Sequence, residues 1–273
     1  MHLDPLLRAT AVDVALRAGA IQKSHFGGTF RVDKKGEIDL VTEVDLAAER
    51  MIREVIEARF PGHAVLGEEL SGDALREPQP GYCWVCDPLD GTTNFAHGLP
   101  IFCTSIGLEV DGQAVIGVVY DPMRDELFVA ERGKGATLNG APMRVSAKRE
   151  VIDSLLCTGF PYDIHRSSEP ILQRFGDFIR HSRAVRRLGS AALDLCYTAA
   201  GRLDGFWEAS LKPWDTCAGA LIVSEAGGRV TNFENQPFQS RMRQLVASNG
   251  AIHDEMLRIV SLSGEQRPLE ATS

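Results

Sequence analysis

Residues 83–95 read CWVCDPLDGTTNF, a stretch that joins two cysteines to two aspartates. The apolar residues in its first half predict a buried strand, which Pro88 is expected to end. Asp87 then closes the strand and Asp90 lies in the turn after it, so a tight turn can aim both carboxylates at one point. The carbonyl of Leu89 can join them, and hard cations such as Mg²⁺ take oxygen ligands of this kind. The second half of the stretch therefore predicts a set of cation ligands.

The residues that follow Asp90 have the character of a helix start. Free backbone N–H groups within Gly91-Thr92-Thr93-Asn94 would suit an anion. Cation ligands and an anion cradle then lie side by side, which is what metal-assisted phosphate chemistry requires. A lone D-x-x-D-G pattern is also typical of an Asx-turn followed by a helix cap, and the stretch alone leaves that interpretation open.

Three further acidic sites favour the metal interpretation. Glu68 lies where a short strand predicted at 64–69 leads into a loop, Asp215 opens a predicted helix, and Asp45 lies at the start of the helix predicted over 42–60. Each site also has a structural explanation, namely a solvated loop, an N-cap and a capping box, respectively. Taken with the central stretch, these partners favour the carboxylates over the thiols as the reactive half.

The cysteines offer a competing explanation. Cys83 and Cys86 have the spacing of a metal or redox motif, but positions three apart on a strand point to opposite faces. The sequence has no second C-x-x-C or Cys/His pair to complete a zinc site. The string from Cys196 to Arg202 matches the C-x5-R pattern of cysteine phosphatases, yet Cys196 falls within a predicted helix. We therefore expect the cysteines to be reduced core residues.

Composition indicates an ordinary globular protein. The chain has 273 residues, of which 44% are apolar and 24% charged, and its net charge is −8. An acidic chain is a poor non-specific partner for nucleic acid or anionic membranes. No run approaches the ~18 consecutive apolar residues of a membrane span, and the first residues do not resemble a signal peptide. We expect a cytoplasmic protein with neither a nucleic-acid nor a membrane partner.

The pattern of predicted strands and helices differs between two parts of the chain. From about 101 to 146, short strands are separated by turns such as Asp111-Gly112 and Asn139-Gly140, which predicts an antiparallel meander with hairpins. Beyond 150, short strands alternate with helices. This change in the pattern of predicted elements suggests an amino-terminal half, 1–148, and a carboxy-terminal half, 149–273, which together are expected to form one compact unit.

Six segments resemble the inositol monophosphatase family of Mg²⁺-dependent, lithium-sensitive phosphatases, and they extend over nearly the whole chain. In chain order they are DLVTEVD (39–45), GEE (67–69), DPLDGTTNF (87–95), RGKGATLNG (132–140), LGSAALDLC (188–196) and PWDTCAGALIVSEAGG (213–228). The third and the last are the most specific. The resemblance implies an α+β fold, a layered αβαβα sandwich of the sugar-phosphatase type, with the metal site between the two halves and most metal ligands in the first.

The resemblance also implies roles for individual residues. Two or three Mg²⁺ ions would be held by the family's ligand positions, which here are Glu68, Asp87, the Leu89 carbonyl, Asp90 and Asp215. Thr92, hydrogen-bonded to Asp45, would orient and deprotonate the attacking water, with Glu68 as a further catalytic residue. The N–H groups of Gly91 and Thr92 would hold the phosphate. The other substrate-binding residues would be Asp90, Gly189, Ser190, Ala191, Glu208 and Asp215.

The activity implied is hydrolysis of inositol monophosphate, and of similar small polyol phosphates, by direct in-line attack of a metal-activated water. Glu208 also favours a hydroxyl-rich substrate, since a carboxylate accepts hydrogen bonds from sugar-like hydroxyls. Sister branches of the family remain alternatives, namely fructose-1,6-bisphosphatase, histidinol-phosphatase and 3′-phosphoadenosine nucleotidase. A regulatory protein that kept the fold without catalysis is another. The resemblance further implies a homodimer.

Overall fold

The computed structural model describes residues 3–34, 40–71, 80–161, 164 and 169–262. The helices are α1 (Pro5–His25), α2 (Glu43–Arg59), α3 (Thr92–Ala96), α4 (Glu169–His181), α5 (Ala191–Ala199), α6 (Pro213–Glu225) and α7 (His253–Leu262). The strands are β1 (Val32–Lys34), β2 (Leu40–Thr42), β3 (Ala64–Gly67), β4 (Tyr82–Asp90), β5 (Cys103–Val110), β6 (Gln113–Asp121), β7 (Glu126–Glu131), β8 (Ala136–Leu138), β9 (Ala141–Pro142), β10 (Leu155–Thr158), β11 (Ala184–Arg186), β12 (Gly205–Ala209), β13 (Arg229–Thr231) and β14 (Gln244–Ser248).

The larger sheet contains the predicted meander. Strands β3 to β9 lie side by side in chain order, with β3 parallel to β4 and each later pair antiparallel. Asp111 and Gly112 have φ angles of 50° and 77°, and Asn139 and Gly140 have 50° and 79°. Positive φ at both central residues is the geometry of a two-residue type I′ hairpin, which Asp, Asn and Gly tolerate. The meander prediction is confirmed.

Helices α1 and α2 cover one face of the larger sheet. The Asp4 carboxylate accepts a hydrogen bond from the Leu6 N–H at 2.8 Å, and Pro5 occupies the first helical position, as the sequence predicts. The inner faces of both helices pack against β4, β5 and β6 in a cluster where Trp84 and Ile106 are fully buried. None of the described helices combines the length and hydropathy that a membrane crossing needs.

The smaller sheet has the order β11-β10-β12-β14-β13. Strand β10 is parallel to β11 and β12, whereas β14 is antiparallel to β12 and β13. Helices α5 and α6 fill the space between the sheets, sharing a core with Val119 and Phe128 of the larger sheet and Phe206 and Leu245 of the smaller. Helices α4 and α7 pack on the other face of the smaller sheet. The layers therefore run helix, sheet, helix, sheet, helix, which confirms the α+β αβαβα sandwich.

The core between the sheets draws side chains from both sides of residue 148. Helix α6 packs against β5, β6 and β7, which belong to the earlier part of the chain. This packing places Asp215, in the first turn of α6, beside the larger sheet, whose strands all lie before residue 148. The division into 1–148 and 149–273 stays a proposed division of the chain.

The strand of the central stretch is longer than predicted. Strand β4 continues through Pro88 to Asp90, and its pairing with β5 slips between Asp87 and Asp90. The prediction that Pro88 ends the strand is wrong, because a bulge lets a strand pass a proline, which has no N–H for the ladder. The Pro88 carbonyl instead accepts a hydrogen bond from the buried side-chain amide of Gln22 at 2.7 Å. Both aspartates consequently belong to one strand end that α1 holds in place.

Candidate functional site

One cavity collects most of the residues that the sequence predicts. It has a volume of about 400 Å³ and is bordered by the end of β4, the loop after β3, strand β12 and the start of α6. The predicted residues in its lining are Glu68, Asp87, Leu89, Asp90, Gly91, Thr92, Glu208 and Asp215. These residues come from separate segments of both sheets, so the fold is what brings them together.

The two aspartates of the central stretch are held in fixed orientations. The Asp87 carboxylate accepts the Leu89 N–H at 2.9 Å, which is the Asx-turn that the sequence left open. Asp90 Oδ2 accepts hydrogen bonds from the Ser190 hydroxyl at 2.7 Å and from the Ala192 N–H at 2.8 Å. The Asx-turn is therefore compatible with a site, since it orients a carboxylate that also lines the cavity.

Asp215 approaches the cavity from the first turn of α6. Its Oδ2 accepts the Lys212 N–H at 2.7 Å, a helix-start arrangement that the sequence also allowed. The hydroxyl of Ser105 on β5 donates to the Trp214 carbonyl at 3.2 Å. The start of α6 is thus tied to the larger sheet beside the end of β4.

Thr92 and Asp45 form a hydrogen bond between two elements. The Thr92 hydroxyl lies 3.0 Å from Asp45 Oδ1 and 3.0 Å from the Leu89 carbonyl oxygen, and its single proton goes to one of these acceptors. The other Asp45 oxygen accepts the Thr42 N–H at 2.8 Å in the capping box of α2. The contact that the resemblance implies and the capping box are therefore both present. Asp45 itself lies behind Thr92, outside the cavity lining; residue 39, the first of its motif, lies outside the described residues.

Gly91 makes the sharp turn between β4 and α3. Its φ of 100° lies in the left-handed region, and a Cβ there would stand 2.9 Å from the Ile101 carbonyl oxygen. A larger residue would be both strained and crowded. The side-chain amide of Asn94 donates to the carbonyls of Ile101 and Leu188 at 2.8 Å each, which fixes the first turn of α3. The helix start that the sequence predicts at Thr92 is confirmed.

Burial raises the pKa values of the carboxylates around the cavity. It raises the pKa of Asp45 and of Asp90 to about 6. The pKa values of Asp87 and Asp215 lie well above their usual range, first because both groups are buried and then because neighbouring carboxylates, Glu68 foremost, repel a further negative charge. Negative charges packed this closely are unfavourable without a nearby cation. The cavity therefore has the electrostatic character of a cation site.

The donor set fits a hard cation. Five carboxylates and the Leu89 segment line one cavity, and oxygen donors are the ligands that Mg²⁺ prefers. Within the described ranges, no three side chains of His, Cys, Asp or Glu converge tightly enough to enclose an ion by themselves. An open arrangement suits Mg²⁺, which commonly binds one or two protein carboxylates and completes its coordination with water and substrate phosphate.

The predicted contacts to the alcohol part of a substrate fall into two groups. Glu208 lines the cavity, and its pKa lies well above the usual range, first because of burial and then because of Asp194 and Asp90. Residues 189–191 are absent from the cavity lining. Ser190 is 1% exposed, and its hydroxyl donates to Asp90. This segment contacts the site through Asp90, and its direct contact with a substrate stays a prediction.

Several lining residues have no role predicted from the sequence. They are Phe160, Pro161, Ser210, Leu211, Lys212, Trp214 and Arg243. Lys212 directly precedes the PWD segment, which is a positional signal, whereas Arg243 lies just before β14 with no motif around it. Both are exposed cations, so they place positive charge at the mouth of an otherwise acidic cavity.

The thiols take no part in the cavity. Cys83 shares a small buried cluster with Cys217, whereas Cys86 belongs to the cluster on the opposite face of the larger sheet. All six cysteines are free and buried. Cys196 lies within α5, where burial holds its pKa well above the usual range, so it is a poor nucleophile. The prediction that the cysteines are reduced core residues is confirmed.

The chain is similar to known proteins over nearly its whole length. Residues 4–265 match the model described as "Inositol monophosphatase family". The inositol-1-monophosphatase of Synechocystis sp. is 45% identical over 247 residues, which cover 90% of this chain and 85% of that protein. Nus factor SuhB of Salmonella typhimurium is 42% identical over 259 residues, which cover 94% of this chain and 95% of that protein. The structure of inositol monophosphatase from Anabaena (Nostoc) sp. matches with a TM-score of 0.85 at 39% identity and covers 98% of each chain.

Proposed function

Because the chain belongs to the inositol monophosphatase family and is a phosphatase, we propose that it hydrolyses inositol monophosphate and similar small polyol phosphates to the alcohol and phosphate. The observation that carries the proposal is the cavity in which Glu68, Asp87, Asp90 and Asp215 meet beside the start of α3. Relatives named inositol-1-monophosphatase and inositol monophosphatase support the choice of substrate.

Mg²⁺ is the proposed cofactor, with two or three ions in the cavity. Glu68, Asp87 and the Leu89 carbonyl would hold one ion. Asp87, Asp90 and Asp215 would hold a second, and Glu68 would help to hold a weaker third. Bound there, Mg²⁺ supplies the positive charge that offsets the carboxylates, neutralises the phosphoryl oxygens and stabilises the leaving oxygen.

Thr92 and Asp45 would receive the proton of the attacking water. When the Thr92 hydroxyl donates to Asp45 Oδ1, 3.0 Å away, a lone pair on Thr92 would accept a hydrogen bond from water. Asp45 keeps its orientation because the Thr42 N–H holds its other oxygen at 2.8 Å. The water would lose its proton to Thr92 as it attacks phosphorus in line with the ester oxygen, and Thr92 would pass its own proton to Asp45. The leaving oxygen would take up a proton from solvent, and no covalent intermediate would form on the protein.

The substrate would be oriented by its two ends. The N–H groups of Gly91 and Thr92 would hold the phosphate, since the start of a helix presents unpaired donors. Glu208 would accept hydrogen bonds from the hydroxyls of the polyol, and Asp90 with residues 189–191 would complete that side of the site. Asp215 would contact both the substrate and the second ion.

The family resemblance supports further proposals about the protein as a whole. We propose a cytoplasmic homodimer that lithium and calcium inhibit. Light scattering of the purified chain tests the dimer, and a monomeric mass would refute it. The net charge of −8 supports the proposal that nucleic acid is not a partner. Electrophoretic mobility with duplex and single-stranded nucleic acid tests that point.

A substrate panel with Mg²⁺ titration tests the activity. We expect inositol 1-phosphate to be turned over faster than fructose 1,6-bisphosphate, histidinol phosphate and 3′-phosphoadenosine 5′-phosphate. Turnover should rise with Mg²⁺ and fall with a chelator or lithium. Negligible turnover of inositol 1-phosphate beside another substrate would assign the chain to that sister branch, and insensitivity to chelators would refute the metal-dependent mechanism.

Two variants separate an enzyme from a regulatory protein. Asp90→Asn and Asp215→Asn each change a proposed ligand of the second ion, so each should remove most activity. Asp254→Asn on α7 is the control, because its side chain is 77% exposed. If the cellular role of the protein survived both ligand variants while turnover vanished, that role would be regulatory.

A further inference from the structure

Helix α2 carries a polar stripe along its inner side. Asp45, Glu49 and Arg53 are spaced four residues apart, so they lie on one side of the helix. Asp45 reaches the hydroxyl of Thr92. Glu49, one turn further on, is fully buried although it carries a carboxylate. A buried charge is unfavourable unless it is paired and hydrogen-bonded, so the contacts of Glu49 indicate what it does.

Glu49 holds the loop that presents Glu68. Its Oε2 accepts the Glu69 N–H at 2.7 Å, and its Oε1 accepts the Leu70 N–H at 3.1 Å. The carboxylate also lies directly over Gly67, where a Cβ would stand 2.1 Å from Oε1. The backbone on both sides of Glu68 therefore rests on one buried carboxylate.

Arg53 keeps Glu49 in place, and Ser71 joins Arg53 to the loop. The Nε and Nη2 atoms of Arg53 lie 2.9 and 2.8 Å from Glu49 Oε1. Arg53 also donates to the Val65 carbonyl at 3.3 Å and to the Ser71 hydroxyl. The same hydroxyl accepts the Gly67 N–H at 2.6 Å. A closed set of hydrogen bonds thus joins α2, the end of β3 and both ends of the loop.

We propose that Glu49 is a positioning residue of the cation site, that Arg53 acts through it, and that Ser71 supports the same loop through the Gly67 N–H, so that together they orient Glu68. The inference rests on the proposed function, in which Glu68 is a cation ligand. Because the same side of α2 carries Asp45, the helix also sets the position of Glu68 relative to the group that receives the proton of the water.

Glu49→Gln keeps the shape of the side chain and changes its hydrogen bonding. An amide has one oxygen acceptor and presents its NH₂ group to a neighbouring N–H or to Arg53, so the loop loses part of its support. Groups that orient metal ligands in this way typically contribute about 10-fold to 100-fold to metal affinity. We expect Mn²⁺ affinity to fall by about that factor, while kcat at saturating Mg²⁺ changes much less.

Two measurements read the effect without turnover. Binding of Mn²⁺ alone, followed by electron paramagnetic resonance, gives the affinity, and hydrogen exchange of the Glu69 and Leu70 amides in metal-free protein reports on the loop. Both amides should lose protection in Glu49→Gln. Glu57→Gln, on the exposed side of the same helix, should behave like the wild type. Arg53→Lys, which keeps the charge, should retain more affinity than Arg53→Met.

A milder variant keeps the test decisive if Glu49→Gln does not fold. Ser71→Ala should show the same losses to a smaller extent. Unchanged Mn²⁺ affinity and unchanged exchange in a folded Glu49→Gln or Ser71→Ala protein would overturn this inference alone, provided that the wild type binds Mn²⁺ and Asp215→Asn does not. Absence of Mn²⁺ binding by the wild type would instead overturn the proposed function, and this inference with it.

Discussion

Replacing Thr92 with valine removes one hydroxyl and nearly preserves the volume of the side chain. In the structure that hydroxyl lies 3.0 Å from Asp45 Oδ1 and from the Leu89 carbonyl oxygen, and Thr92 is 6% exposed. Because the hydroxyl has one proton, Thr92→Val loses one hydrogen bond and leaves a buried carboxylate with fewer partners. A hydrogen bond to a charged group contributes about 1.5–3 kcal/mol. We expect the free energy of unfolding to fall by about 2 kcal/mol.

The loss of activity should be much larger than the loss of stability. If Thr92 receives the proton of the attacking water, kcat for inositol 1-phosphate should fall by about 10² to 10⁴. KM should change little, because the backbone N–H groups that hold the phosphate remain. Phosphate release at saturating Mg²⁺ gives kcat, and urea denaturation of the same samples gives the free energy. Thr93→Val is the matched control, since Thr93 is half-buried and no described residue hydrogen-bonds its hydroxyl.

A double variant decides whether Thr92 and Asp45 act together. If they form one proton path, Thr92→Val combined with Asp45→Asn should reduce kcat no further than the worse single variant. Two results would refute the reasoning. One is a Thr92→Val enzyme whose kcat stays within about threefold of the wild type, and the other is full multiplication of the two single effects in the double variant.

Three further predictions concern stability, measured by urea denaturation. Gly91→Ala should lower the free energy of unfolding by about 1–3 kcal/mol, because φ is 100° and the new Cβ would lie 2.9 Å from a backbone oxygen. Gly98→Ala, at a φ of 71° with open space around it, should lower the free energy of unfolding by less than Gly91→Ala. Equal losses of stability in the two variants would contradict the crowding argument. Gln22→Met should lower the free energy of unfolding by about 1–3 kcal/mol, since the buried amide donates to the Pro88 carbonyl at 2.7 Å. An unchanged free energy of unfolding would show that this hydrogen bond does not contribute to stability. Burial lowers the pKa of His253 to about 4, so only the unfolded chain takes up this proton as the pH falls below about 6.5. Stability should therefore decline between about pH 6.5 and pH 4, by on the order of 3 kcal/mol. In His253→Gln this part of the decline in stability should be absent. The same pH dependence of stability in both proteins would disprove the role of His253.

Short-range signals predicted the elements that depend on neighbouring residues. The Asp4-Pro5 start of α1 and the hairpin turn at Asp111-Gly112 follow from capping and from φ preferences, which act within a few residues. The end of β4 was mispredicted for a long-range reason. Whether a strand stops at Pro88 or passes it through a bulge depends on pairing with β5 and on the amide of Gln22.

The candidate site was predictable to the extent that its residues lie in recognisable motifs. The motifs identified the carboxylates and Thr92 that line or contact the cavity. They did not indicate Arg243, whose neighbours form no motif, or Glu49, whose role is visible only through its contacts with the loop before Ser71. Residues 189–191 matched a motif, yet the cavity lining excludes them because α5 begins behind Asp90.

The amino-acid sequence specifies which chemical groups this protein has and favours the local structure of many short segments: acidic residues grouped in motifs, a glycine where φ must be positive, and helix starts with free N–H groups. It does not specify which groups face one another. Asp215 meets Asp87 because α6 is packed between two sheets, and Glu49 meets the loop of Glu68 because α2 lies on the larger sheet. These contacts depend on how apolar faces from distant parts of the chain are buried together. Because apolar burial is non-directional and does not depend on separation along the sequence, short-range patterns do not reveal it.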